Sequence, residues 1–351
     1  MHRGGNGRGR RAFAVRAAIA AVLLAGAAAC SAGGSGAGAP GAGGTGVGGT
    51  ALGASSADSV APGSVAPGSG VPGPAAPSAA PAPTASADPG PAGAAVEKLL
   101  VFVVENHSLA QMTAQMPYLH GLATQYGYAD HYTAVAHPSL PNYLAIAGGD
   151  TFGVQDDNPP SAHPLAGHSV FGAAAAAGRT AKLYADAMST PCQLNTAGTY
   201  AVKHNPWAYF VDEAQDCQRY DAPLDQLSAD INGAKLPVAG MVVPDLCNDA
   251  HDCPLAQADG WLRTWVGAVL AGPDWRSGQL AVVITADEDD DHSGNQVLTV
   301  VAHPSLRAAV VSAPLNHYSL TRAYTDVAGV PPLRRGASAG SLLASFGLAV
   351  G

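Results

Sequence analysis

Lys98-Leu99-Leu100-Val101-Phe102-Val103-Val104-Glu105-Asn106-His107-Ser108 is the stretch that decides the fold. From Leu99 to Val104 the apolar residues are consecutive rather than alternating. Both faces of an extended segment are therefore buried, which marks a strand inside a parallel sheet rather than at an edge. Thr180–Ala185, Val238–Val243, Leu280–Ala286 and Val297–Ala302 are apolar, β-branched runs bounded by turn residues in the same way. Between these runs lie helix-like segments at Ser108–Tyr126, Ser169–Ala177, Ala222–Ile231, Ala256–Leu270 and Ser319–Ala328. Alternating strand and helix predicts an α/β protein, a three-layer α/β/α sandwich with a mainly parallel sheet. Sites in such folds form at the carboxyl ends of strands, so the polar residues just after each run are the ones to weigh.

Outward from this core, composition divides the chain of 351 residues. Between Ser31 and Ala95, 55 of 65 positions are Gly, Ala, Ser or Pro, too little apolar surface to offset the entropy of ordering. Residues 31–95 read as a disordered linker, and 96–351 as one domain with a full core. That domain carries twelve Lys and Arg against twenty-four Asp and Glu, which excludes nucleic-acid binding by bulk electrostatics. An anionic substrate would then need local cations, and a bound metal is the readiest source. Residues 1–30 read as an export signal: Arg3, Arg8, Arg10, Arg11 and Arg16, then the apolar run Ala17 to Ala29. Ala27-Ala28-Ala29-Cys30 resembles a lipoprotein box, so membrane attachment is expected only through lipidation of Cys30. The alternative is a plain cleaved signal, which releases the protein. Either way the domain is exported, as a cell-surface lipoprotein or a secreted protein.

Cysteine usage agrees with export. Cys192, Cys217, Cys247 and Cys253 are an even set, read as two disulfides, and proximity favours Cys192–Cys217 and Cys247–Cys253. A zinc site ranks below this because no C-x-x-C pair is present.

Three runs end in acids and amides: Glu105-Asn106 after the first, Pro244-Asp245-Leu246-Cys247-Asn248-Asp249-Ala250-His251-Asp252 after Val238–Val243, and Asp287-Glu288-Asp289-Asp290-Asp291-His292 after Leu280–Ala286. Packed at one sheet edge without a cation, these carboxylates repel and their pKa values rise. A divalent ion resolves that, and oxygen donors favour Mg, Ca or Mn, with Zn open where histidines approach. A further cluster, His137-Pro138-Ser139-Leu140-Pro141-Asn142-Tyr143, suits an elbow entering a helix at Pro141. An ordinary turn with Ser139 as N-cap fits the same residues equally well.

Six motifs occur in order: Glu105-Asn106-His107-Ser108, Pro138–Tyr143, His204-Asn205-Pro206-Trp207, Pro244–Asp252, Thr285-Ala286-Asp287-Glu288 and Asn316-His317-Tyr318-Ser319-Leu320. Together they resemble the bacterial phosphoesterase family of acid phosphatases and phospholipases C, within the alkaline-phosphatase superfamily, over nearly all of Lys98–Ala328. The resemblance implies an alkaline-phosphatase-like fold and a metal-dependent phosphoesterase with Ser139 as nucleophile and metal ligand. It implies a metal site completed by Glu105, Asn106, Asp287 and Glu288, with Asn106 binding metal or phosphate. His204 and His251 would line the phosphate pocket, one serving as general acid; His137, Asp249 and His317 stand second. Family members usually carry Trp-Asp-Glu-Gly, whereas Ala286 and Asp289 stand at the Trp and Gly places here. The extra acids Asp289–Asp291 are expected to face solvent.

The implied substrate is a small phosphate ester or a phospholipid headgroup. A phosphomonoesterase is favoured over a phospholipase C or a phosphatidylinositol-phosphate phosphatase, because no additional lipid-binding module is evident. Two other classes compete. A Ser-His-acid hydrolase lacks G-x-S-x-G around Ser139 and has no use for three acidic strand ends. A binding lipoprotein without turnover leaves the Ser139 cluster unexplained.

Overall fold

The computed structural model describes residues 94–351. The expected export signal, Cys30 and the expected linker up to Gly93 lie outside the described residues.

Among the described residues, ten strands and ten α-helices follow in chain order. The strands are β1 (Lys98–Val104), β2 (Gly127–Ala129), β3 (Tyr132–Thr133), β4 (Ala181–Ala185), β5 (Asp221–Pro223), β6 (Ala239–Val243), β7 (Leu280–Ala286), β8 (Thr299–Ala302), β9 (Ala309–Val311) and β10 (Leu315–Asn316). Eight of them form one sheet in the order β5-β4-β6-β1-β7-β8-β2-β9, and β10 pairs with β3 separately. Every pairing in the large sheet is parallel except those of β8, which runs antiparallel to β7 and β2. The helices are α1 (Leu109–Gln115), α2 (Pro117–Gln125), α3 (Ser139–Gly148), α4 (Val170–Ala176), α5 (Ala214–Tyr220), α6 (Gln226–Asn232), α7 (Leu255–Ala271), α8 (Pro273–Arg276), α9 (His317–Ala328) and α10 (Leu342–Ser345). They cover both faces of the sheet: α3 and α4 pack with α9, while α1, α2 and α6 pack with α7. All ten residues of α3 are buried. Among the described residues no helix is long and apolar enough to cross a membrane.

The central strands lie where the apolar runs placed them, with β1 and β7 matching to the residue. Three expectations are corrected. The helix expected over Ser108–Tyr126 breaks at Met116, because a residue before proline is pushed out of the helical region. The helix expected from Ala222 begins instead as β5, an edge strand in which Pro223 forfeits no ladder bond, and α6 starts at Gln226. The helix after the Ser139 elbow starts at Ser139, two residues before Pro141, with Pro138 as its N-cap.

Candidate active site

Parallel register sets the level of the site. Val104 lies opposite Ala286, so Glu105 and Asp287 leave adjacent strands together, and the Asp287 amide donates to the Val104 carbonyl at 3.0 Å. From the other side, the Glu105 amide donates to the Asp249 carbonyl at 2.9 Å, which brings in the loop after β6. Ser139 enters over this edge at the first turn of α3. Its hydroxyl makes no capping bond. Instead Oγ donates to Glu105 Oε2 at 3.2 Å and Glu288 Oε1 at 3.3 Å.

One oxygen from each of Glu105, Asp287 and Glu288 lies within 4.8 Å of the others, and all three residues are buried. Asp287 Oδ2 is buried without a hydrogen-bond partner. Burial, then the charges of Glu105 and Glu288, push Asp287 well above the carboxylate range. Burial and the Glu105 charge likewise push Glu288 up to about 8. A cluster of oxygen donors that cannot all stay ionised alone fits a hard divalent cation. Asn106 is half-buried and is tied to the cluster by its backbone N–H, which donates to Asp287 Oδ1 at 3.3 Å.

His204 is 1% exposed and stacks on Tyr143 with ring centroids 4.9 Å apart. Its Nε2 lies 2.8 Å from Glu105 Oε1 and its Nδ1 3.3 Å from Asp249 Oδ2. Burial disfavours its charge, but Glu105 and Asp249 together outweigh that and hold the imidazole up at about 9. Burial likewise opposes the Glu105 charge, and His204 pulls that carboxyl down to about 2. Both ring nitrogens thus serve carboxylates. His251 is placed differently: Nδ1 bonds Asp252 Oδ1 at 2.7 Å, and Nε2 faces the site 3.5 Å from Lys203 Nζ.

His137 lies 2.9 Å from Glu288 Oε2 and 3.3 Å from Asp289 Oδ1. His317 sits behind the cluster, where Nε2 donates to the Asp287 carbonyl at 2.6 Å and Nδ1 accepts from the Tyr132 hydroxyl at 3.0 Å. Burial holds its pKa down to about 4, so it supports Asp287 as a neutral ring. The acids after Glu288 do not all face solvent as expected. Asp289 is 1% exposed and accepts from the Asp291, Ser293 and Asn295 amides, and Asp290 Oδ2 accepts from Gln111. Asp291 alone of the three is exposed. Where the family has glycine, this chain uses Asp289 to fold the loop around its own carboxylate.

Sequence reasoning missed Lys203 and Asp157. Lys203 Nζ lies 3.2 Å from Ser139 Oγ and 3.1 Å from Asp157 Oδ2. The available signal was that Lys203, one of four lysines in the chain, directly precedes His204.

Both disulfides expected from proximity are present, Cys192–Cys217 and Cys247–Cys253. The first closes the segment that carries Lys203 and His204, and the second the loop that carries Asp249, His251 and Asp252. Asn205 adds an anchor within the first, donating to the buried Asp221 Oδ2 at 2.7 Å. Reduction is expected to cost about 2–5 kcal/mol per bridge and to lower turnover before unfolding, because the histidine loops loosen first. Parallel melting and activity curves against reductant test this, and activity that persists until global unfolding would argue against it.

A serine at a helix N-terminus, facing carboxylates at the ends of parallel strands with an imidazole alongside, is the equipment of a phosphoric ester hydrolase. Comparison bears this out: the phosphoesterase family profile matches residues 104–331, and the chain belongs to that family. It is 30% identical over 243 residues to a phosphatidylinositol-3-phosphatase of Mycobacterium tuberculosis, covering 66% of this chain and 77% of that protein. It is 28% identical over 221 residues to a phosphate-repressible acid phosphatase of Penicillium chrysogenum, covering 58% of this chain and 52% of that protein. The chain therefore spans about half the length of this fungal relative. Among solved structures it is similar to an alkaline phosphatase superfamily protein from Vibrio parahaemolyticus, with a TM-score of 0.48, 11% identity, and coverage of 68% of this chain and 67% of that one.

Proposed function

We propose that the chain is an exported, metal-dependent phosphomonoesterase that acts through a phosphoserine at Ser139. The observation that carries this is the Ser139 hydroxyl, buried at the start of α3, unused in capping and aimed at Glu105 and Glu288. Glu105, Asp287 and Glu288, with Ser139 and the adjacent Asn106, would hold the cation. A bound divalent ion lowers the pKa of a hydroxyl and neutralises phosphoryl charge.

Ser139 Oγ attacks phosphorus in line, its proton leaving to water, and forms the Oγ–P bond as the bond to the leaving alcohol oxygen breaks. His251 Nε2 gives its proton to that oxygen, with Asp252 orienting the ring. Water then attacks phosphorus and yields one proton to His251 Nε2. The Oγ–P bond breaks, Ser139 takes a proton back, and inorganic phosphate leaves. His204, held between Glu105 and Asp249, positions Glu105 rather than touching substrate.

The named relatives act on phosphate monoesters, which supports that substrate class; a lipid monoester is the second form to test. Two disulfides support an oxidising, exported setting. The residues before Ser31 support a lipid anchor at Cys30 or release after cleavage.

The test is hydrolysis of a chromogenic phosphomonoester, phosphatidylinositol 3-phosphate vesicles and a phosphocholine diester, with and without chelator. Monoester hydrolysis that chelator abolishes and Mg, Mn or Ca restores is the expected result. Turnover of the diester alone would make the protein a phospholipase C. Chelator-insensitive turnover would restore the Ser-His-acid reading, and none at all the binding lipoprotein.

A further inference from the structure

We propose that Lys203 is a catalytic residue that binds a non-bridging phosphoryl oxygen and thereby restricts the site to phosphomonoesters. This rests on Ser139 as the nucleophile and adds the group that selects its substrate. The ammonium lies 3.2 Å from Ser139 Oγ and 3.1 Å from Asp157 Oδ2, with His251 Nε2 3.5 Å away. It therefore stands against the atom to which phosphorus must bond. Once phosphorus is on Oγ, the oxygens it carries take the place Oγ now holds beside Nζ. Among the described residues, Lys203 is the one Lys or Arg within hydrogen-bond distance of Ser139.

Its placement is built rather than incidental. Asp157 Oδ2 holds the ammonium while Asp157 Oδ1 accepts from the Leu140 amide at 3.0 Å, so the cation is fastened to the helix turn that carries the nucleophile. The Lys203 side chain is 16% exposed, and a charge largely withdrawn from water interacts more strongly than one on the surface. An ion pair serving only to hold Asp157 would need no contact with Ser139.

Selectivity follows from charge and oxygen count. A monoester dianion presents three non-bridging oxygens and two negative charges. A diester presents two such oxygens and one charge, with its second ester group where the third oxygen would be. The carboxylates of Glu105, Asp287 and Glu288 already consume the charge of a divalent ion. A monoester dianion brings one more negative charge than a diester into this carboxylate-rich site, so it gains more from a further cation, and Lys203 is the one beside Ser139. Where an ester alkyl group replaces that oxygen, the ammonium keeps Asp157 but loses water without gaining a phosphoryl oxygen in return.

The test compares wild type with Lys203→Met and Lys203→Arg, metal-loaded, on a nitrophenyl phosphate and its methyl diester, with inhibition by inorganic phosphate. In Lys203→Met, monoester kcat/KM is expected to fall about 10²–10³-fold, the effect of losing one transition-state donor. The inhibition constant of inorganic phosphate should rise roughly tenfold or more, and Lys203→Arg should recover most of both losses. The diester rate should fall by a clearly smaller factor. Equal losses on both esters, or an unchanged phosphate inhibition constant, would overturn the proposal by reducing Lys203 to a structural part. An arm without mutation guards against misfolding: inorganic phosphate should raise the melting temperature of wild type more than dimethyl phosphate at the same concentration, and equal shifts would also overturn it. Wild type that hydrolyses no phosphate ester rejects the nucleophile instead, whereas active wild type with unaltered Lys203→Met rejects the selectivity proposal alone.

Discussion

Ser139→Ala is expected to lose about 10⁴-fold or more in turnover, the scale seen when a nucleophile is removed and binding remains. The fold should stand. Pro138, not Ser139, caps α3, and the Ser139 hydroxyl bonds only groups of the site itself. Its removal leaves the helix start, the buried face of α3 and the Asp157–Leu140 bond in place. The melting temperature should therefore move little, as for substitutions that spare core and caps. Trapping supplies a second readout: acid-quenched wild type should carry covalent phosphate on Ser139, and the variant none. Turnover near the wild-type rate, or phosphate on another residue, would remove Ser139 from its role.

What the sequence disclosed, and what it withheld, follows from how far each signal reaches along the chain. β1 and β7 were legible because six and five consecutive apolar residues, rich in β-branched types and bounded by turn residues, fit a strand buried on both faces. The disulfides were legible because separations of 25 and 6 residues made one pairing the economical one. Strands of two or three residues, such as β3 and β10, carry no period to detect. Asp157 lies outside every quoted motif, and only the tertiary fold sets it against Leu140 and Lys203. His204 shows the same limit from the other side. Its motif marked it as part of the site, but its burial between two carboxylates is a matter of packing, and on that ground we propose a positioning role instead of pocket lining.

Asp289 shows how a departure from a family pattern is absorbed. A glycine at that place would leave the loop after Glu288 to be shaped by backbone freedom alone. This chain uses one buried carboxylate that gathers the Asp291, Ser293 and Asn295 amides, while the Asp289 amide donates to Asn295 Oδ1 at 2.9 Å. Asn295 Nδ2 in turn donates to the Ala136 carbonyl, three residues before Ser139. The loop that supplies Glu288 and the elbow that supplies Ser139 are thus cross-braced, which fixes the separation on which the carboxylate–hydroxyl contact depends.

Removal of divalent metal is expected to stop phosphoryl transfer and to destabilise the fold together. Glu105, Asp287 and Glu288 converge within 4.8 Å, and while all are ionised their mutual repulsion is offset by a bound cation. A ligand that binds only the native state adds about 4 kcal/mol at a thousandfold excess over Kd, and chelation withdraws that amount. In metal-free protein the repulsion can be relieved by protons instead. A carboxyl raised by folding stabilises while protonated, and that contribution is lost as pH rises from its ordinary value through its raised one. For Glu288 the window runs up to about 8, so the chelator-induced fall in melting temperature should widen as pH rises through it. Asp287→Asn should weaken metal affinity, because an amide replaces a charged donor, and should shrink the loss of stability on chelation, because one repelling charge has left the empty cluster. A mere acidic surface loop makes the opposite forecast on every count: no response to chelator, and a nearly silent Asp287→Asn. Activity and melting temperature of wild type and Asp287→Asn, with chelator and with added Mg, Mn or Ca, separate the two. Full activity in wild type after exhaustive chelation, with elemental analysis finding no bound metal, would end the metal-dependent reading and leave Ser139 to be activated by protein groups alone.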